Sequence, residues 1–324
     1  MHRIQWFFWN TTEKRLRAGW RVAIHFMLWV YMPALLKLGF GNSLAHLLPA
    51  AFYAVERIRD LLVEFILRLP AIVISTWLMA RWVDQRSFRD FGLHGGKRWW
   101  LDFGFGLALG ALLMTFIFCS EWGAGWVTII QPFQAANVAL PFPIVILEPL
   151  IVFGVVGITE ELLARGYQLR NLAEGFHFQQ WGAQRAVVAA WLVSSLCFGL
   201  LHVSNPHSSW HSTLALMLVG LFFGLGFVLT GELAIPIGLH ITWNFFQGSV
   251  FGFPVSGRDF GNITILAIRQ TGPELWTGGA FGPEAGLLGL VATVIGCCAI
   301  LLWVRWQYGK VTLCAALAHY VRKS

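Results

Sequence analysis

Three stretches of the chain place polar side chains four residues apart inside runs that are otherwise apolar. They are "TEELLAR" with Glu160, Glu161 and Arg165, "FGLLH" from Phe198 to His202, and "HITWN" from His240 to Asn244. Residues four apart project from one face of a helix. Glu161 can therefore reach Arg165, Phe198 can pack beside His202, and His240 and Asn244 can point into one space. Adjacent residues diverge by about 100° around a helix, so Glu160 and Glu161 cannot share a task. The spacing assigns Glu161 to Arg165, a charge-assisted pair that offsets burial. It leaves Glu160 as the freer carboxylate and the candidate general base. One carboxylate, two imidazoles and an amide suit activation of water and stabilisation of a developing oxyanion, which amide hydrolysis requires. Glu160, His202 and His240 would also suit a two-histidine, one-carboxylate site for a divalent metal such as zinc, with an open position for water.

The elements that must position these groups are membrane helices. The chain has 324 residues, 57% hydrophobic and only 12% charged, which marks a polytopic membrane protein rather than a soluble globule. Runs near the ~20 residues that span a bilayer recur at about 20–40, 61–80, 101–119, 143–171, 186–203, 213–230, 233–254 and 284–304. The expected fold is all-α, about eight transmembrane helices around an intramembrane active-site cavity. No linker or repeat divides the chain, so residues 1–324 read as one membrane domain with a catalytic core at 143–254. Depth constrains the core. If the fourth run ended at Arg165, Glu160 would lie near the surface while His202 lay far into the fifth. Continuing the helix through "GYQLRNL" to about Leu172 places Glu160 about 18 Å from that end and His202 about 24 Å from the start of the fifth run, with His240 shallower at about 10 to 12 Å. The spacing thus predicts a long fourth helix and a water-filled cavity facing the cytoplasm.

A net charge of +7 does not imply nucleic acid, because the basic residues sit in particular loops rather than along one stripe. Arg3, Lys14, Arg15 and Arg17 precede the first run, Arg81, Arg86, Arg89, Lys97 and Arg98 follow the second, Arg170 and Arg185 separate the fourth from the fifth, and Arg305, Lys310, Arg322 and Lys323 close the chain. With eight spans all of these fall on one side. Both termini are therefore expected in the cytoplasm of a bacterium, with the chain in its plasma membrane. Arg57, Arg59, Arg258 and Arg269 oppose them. Other polar features read as structure: Glu64 and Arg68 as a self-neutralising i,i+4 pair, His25 as a hydrogen-bonded contact between helices, His207 and His211 as solvated loop residues, Gly220, Gly224 and Gly226 as a packing face, and the five cysteines as packing.

The three polar motifs, in this order and each inside an apolar run, resemble the E-E-x-x-x-R, F-x-x-x-H and H-x-x-x-N motifs of the CPBP family, which holds the CAAX prenyl endopeptidases and bacteriocin-processing or immunity proteins. The likeness covers about residues 145–250, and "ELAIPIGLHITWN" also resembles the approach to the last motif. Ala164 departs from the bulky residue common there. The resemblance implies an intramembrane endopeptidase in which Glu160 and His202 activate water while His240 and Asn244 stabilise the oxyanion, with Glu161, Arg165 and Phe198 in support. Its substrate would be a membrane-tethered or lipidated peptide or protein in contact with membrane lipid. Such enzymes have been classed both as metalloproteases and as glutamate-dependent, so either a divalent metal or no cofactor fits. Two other classes compete: a non-catalytic partner-binding or immunity protein, and a proton-coupled transporter using intramembrane Glu and His. No inverted repeat or pair of broken helices supports the transporter.

Overall fold

The computed structural model describes residues 7–47, 56–135 and 140–321. Eight helices carry the chain back and forth through a bundle. They are α1 Ala18–Leu47, α2 Glu56–Leu78, α3 Lys97–Gly123, α4 Leu147–Glu161, α5 Gly182–Leu200, α6 Trp210–Thr230, α7 Ala234–Phe245 and α8 Leu287–Tyr308. Seven of these passes are long and apolar enough to cross a membrane, and the protein is an all-α integral membrane protein. Their outer faces carry large apolar side chains such as Leu112, Leu218, Val294 and Leu302, as lipid contact demands. The expected seventh run, 233–254, takes a different form. It is a 12-residue α-helix followed by five residues of π-helix, Phe246–Val250, and α7 is buried along nearly its whole length.

The fourth helix does continue past the motif. After Glu161 the chain runs through a π-helix, Leu162–Leu169, and a last α-helical stretch, Arg170–Gly175, so the whole pass extends from Phe142 to Gly175. A π-turn accommodates an extra residue per turn and recurs at functional sites; here one follows Glu161 and another follows Asn244.

Close approach of helices depends on glycine. A Cβ on Gly106 would stand 2.5 Å from the Ile235 carbonyl oxygen, and one on Gly238 would stand 2.4 Å from that of Phe103. α3 and α7 thus touch backbone to backbone, and Thr242 Oγ1 donates to the Leu107 carbonyl across the seam at 2.8 Å. On α6 the expected packing face is present: Gly224 admits the Trp191 indole and Gly226 admits Ile235. With no hydrophobic drive between helices in lipid, such tight contact supplies the attraction.

One end of the bundle, here called the basic face, gathers the N-terminal segment, the 85–96 connector, the 176–181 turn and the chain's end. Its core is an ion cluster. Glu174 accepts from Arg15 at 2.7 Å, from Arg21 at 3.1 Å and from Arg86, while Asp84 accepts from Arg21 at 2.9 Å and from Tyr167 Oη at 2.6 Å. Nearby, His25 bonds Thr76 at 2.9 Å and stacks on Tyr167. The opposite, far face holds an antiparallel ribbon, Val127–Ala135 with Ile263–Gln270, in which Val127 pairs with Gln270. The Glu64–Arg68 pairing lies outside the described side chains, and Arg3, Arg322 and Lys323 lie outside the described residues. His207 and His211 are exposed, and all five cysteines are free.

Candidate active site

Glu161 is 0% exposed, and its Oε1 accepts from Arg165 Nη1 at 2.7 Å, as the i,i+4 spacing predicts. The same oxygen makes a second contact that spacing could not reveal, to His240 Nδ1 at 2.8 Å. An ionised carboxylate only accepts, so Nδ1 carries a proton there and Nε2 is the ring nitrogen left to face the cavity. Arg165 is held in turn by the Gly220 carbonyl at 2.8 Å and lies over the Phe198 ring at 4.5 Å. Buried charge is thereby paired and hydrogen-bonded, the condition for tolerating it in a low-dielectric interior.

Glu160 points elsewhere. Its side chain is 27% exposed, and Oε2 stands 4.0 Å from His240 Nε2. That separation is too long for a direct hydrogen bond and suits a bridging water. His240 was expected to lie shallower than Glu160, and the structure places them at one level. The reason is where α7 begins. Gly166 stands against Leu233 and Phe91, and Leu233 N donates to the Gly92 carbonyl. α7 therefore starts inside the protein, beside Gly166. From that level Glu160 lies about 9 Å back along the fourth helix and His240 about 9 Å forward along α7.

His202 also departs from expectation. The fifth helix ends at Leu200 rather than near 203, and His202 lies in the turn that follows. There Nδ1 bonds the Phe198 carbonyl at 2.8 Å, using one of the acceptors a helix end leaves free. The rings of Phe198 and His202 still meet, 4.9 Å apart. Because a carbonyl can only accept, Nδ1 donates, and Nε2 of the neutral ring keeps its lone pair.

Glu160, His202, His240, Asn244 and Phe198 all line one cavity of about 330 Å³. Its walls are mostly apolar, with Phe153, Leu163 and Trp243 among them. The cavity opens at the end opposite the chain's two ends, whereas the expectation put the opening and both termini on one side. Its exposed rim, Leu201, Ser204 and Arg258, belongs to the far face. Toward the basic face all eight residues of the Leu162–Leu169 π-helix are buried, and the ion cluster lies beyond them. Counting depth along helices could not tell which end the packing fills.

Glu160, His202 and His240 do not form a metal-ligand group: among the described residues no three His, Cys, Asp or Glu side chains gather as one. His240 Nδ1 and His202 Nδ1 are both engaged by protein acceptors, which leaves the Nε2 atoms to face the cavity. As placed here, the three side chains do not gather into the expected two-histidine, one-carboxylate site.

Residues 142–246 match the family described as Rce1-like type II CAAX prenyl endopeptidase. The match spans about a third of the chain, and over that segment the chain is similar to this family. The segment holds all three polar motifs and the residues that link them. No curated protein matches the chain, and neither does any solved structure. The Rce1-like segment does not enclose the cavity by itself. Trp29 and Phe65 come from before it and Ser256, Arg258 and Glu284 from after it. Glu284 is buried and accepts from Ser256 N at 2.6 Å, from Ser256 Oγ at 2.8 Å and from Gln247. Burial pushes its carboxyl above the ordinary glutamate range, against the lowering effect of these donors. No sequence signal marked Glu284 or Arg258, because neither sits at helical spacing from a second polar group within an apolar run.

Proposed function

We propose that the protein is an intramembrane endopeptidase that hydrolyses a peptide bond of a membrane-tethered or lipidated substrate with a water activated by Glu160 and His202. Residues 143–254 form its catalytic core within a single membrane domain. The observation that carries the reading is the placement of Glu160 in an apolar cavity, 4.0 Å from His240 Nε2, while the neighbouring Glu161 fixes that imidazole from behind.

Each group has a task that its contacts favour. Glu160 takes a proton from a water that also donates to the Nε2 lone pair of His202, and the water oxygen attacks the substrate carbonyl carbon. Asn244 and Nε2–H of His240 in its protonated form donate to the oxyanion. The Glu161 carboxylate behind Nδ1 supports positive charge on that ring. When the tetrahedral intermediate collapses, the C–N bond breaks and the proton first taken from water passes to the leaving amine. The walls hold other water away, which strengthens each of these interactions.

The test uses the membrane fraction of cells making either the wild-type protein or Glu160→Gln at equal level, compared by mass spectrometry. A peptide released only by the wild type supports proteolysis. Identical peptide sets, with the cellular phenotype kept by Glu160→Gln, favour a partner-binding role instead.

A further inference from the structure

We infer that the site serves the side of the membrane opposite the cytoplasm, so that its substrate presents the scissile bond from that side. For the word substrate this rests on the proteolytic reading; the orientation of the site stands apart from it.

Two independent observations meet here. The first is charge. Arg17, Arg89, Lys97 and Arg98 lie at the basic face, and so do Arg185, Arg305 and Lys310. The far face has fewer basic residues, chiefly Arg258 and Arg269 among described side chains, and these lie close in sequence to Asp259 and Glu274. Lys and Arg in short loops beside membrane helices are retained on the cytoplasmic side. Eight passes put both termini there. The second observation is the direction of the cavity. Its exposed rim at Ser204 and Arg258 belongs to the far face. From Glu160 toward the basic face, a fully buried π-helix and then the cluster of Arg15, Arg21, Arg86, Asp84 and Glu174 leave no such rim among the described residues. The cytoplasmic end is the sealed end.

A second crevice adjoins the cavity. Trp29 and Arg68 line both the cavity and this crevice of about 380 Å³, which Val30, Pro33 and Leu67 flank between α1 and α2. A substrate anchored in the bilayer can approach beside this crevice, whose walls combine Val30, Pro33 and Leu67 with Lys37 and Arg68, with its polar end toward Ser204 and Arg258 at the rim. The fitting class is therefore a membrane-anchored peptide whose cleaved bond is reached from the non-cytoplasmic leaflet.

The experiment labels single new cysteines with a membrane-impermeant maleimide, in intact cells and in inverted membrane vesicles, and maps adducts by mass spectrometry so that the five native cysteines are read separately. Ser204→Cys and, as a second rim position, Arg258→Cys should label in intact cells, while Lys310→Cys should label only in inverted vesicles. Rim cysteines that label in inverted vesicles and stay protected in intact cells would overturn the orientation. Wild-type vesicles of each orientation are then given one bilayer-anchored peptide added from outside. Right-side-out vesicles should cut at least tenfold faster than inverted ones, and the reverse ratio overturns the substrate class. If rim labelling is as expected and neither orientation cuts any anchored peptide, the orientation holds, while the substrate class and the proteolytic reading both fail.

Discussion

Glu160 and Glu161 are neighbours whose removal should have opposite consequences. Glu161→Ala removes the buried acceptor of Arg165 at 2.7 Å and of His240 at 2.8 Å. Arg165 keeps only the Gly220 carbonyl and the Phe198 ring, and the His240 Nδ1–H loses its acceptor. Removing one partner of a buried pair costs about 3 to 5 kcal/mol. An orphaned buried donor alone costs about 1 to 3 kcal/mol, but both contacts share one oxygen, so the losses do not add. The expectation is a loss of about 3 to 5 kcal/mol, more than a hundredfold in the unfolding equilibrium. Glu160→Ala, at a group facing the cavity, should leave stability close to wild type and abolish cleavage. Unfolding in mixed micelles by titrated denaturing detergent, read by tryptophan fluorescence, measures the first effect, and cleavage of a tethered peptide measures the second. The division of labour is refuted if Glu160→Ala destabilises as much as Glu161→Ala, or if Glu161→Ala unfolds like wild type.

Four further outcomes follow from the same geometry. His202→Ala should lower kcat by about a hundredfold or more and cost about 1 kcal/mol by freeing the Phe198 carbonyl; a change confined to KM would count against a role in water activation. Gly238→Ala would bring a Cβ to 2.4 Å from the Phe103 carbonyl oxygen, and the overpacking should cost about 1 to 3 kcal/mol in the same unfolding assay. Glu174→Ala removes the acceptor shared by Arg15, Arg21 and Arg86, leaving Arg21 with Asp84 and Arg15 with Glu13, so a loss of about 3 to 5 kcal/mol is expected, with no change in cleavage per folded molecule. Because the donors do not gather into a ligand set, a strong chelator should leave cleavage unchanged; chelator-sensitive cleavage restored by zinc would contradict this.

What the sequence revealed is what one helix decides by itself. The pair Glu161–Arg165 follows from a four-residue spacing, and the length of the fourth pass follows from requiring Glu160 and His202 to share a cavity. The family likeness, carried by the three motifs, concerns the same residues. What stayed hidden depends on how helices are rotated and seated against each other. The bond from Glu161 to His240 spans 79 positions. The ion cluster joins Arg15 to Glu174 across 159 positions, and single-helix spacing is blind to both. The shallow estimate for His240 failed because apolar content does not say where a helix starts. α7 starts inside the protein, against Gly166 and the 88–93 connector. Likewise "LLHVS" stays apolar past Leu200 although the backbone turns there, so hydropathy ran the fifth helix too far. The direction of the cavity was illegible for the same reason: it is set by which end the ion cluster and the π-helix fill.

The central claim is hydrolysis by a water that Glu160 helps to activate, and one measurement addresses it directly. Purified wild type and Glu160→Gln are each incubated with one membrane-tethered peptide in water enriched in heavy oxygen, and the products are weighed. The account predicts one heavy oxygen in the new C-terminal carboxylate of the wild-type product, and cleavage slower by about 10² to 10⁴ in Glu160→Gln. Equal rates for the two proteins would contradict it.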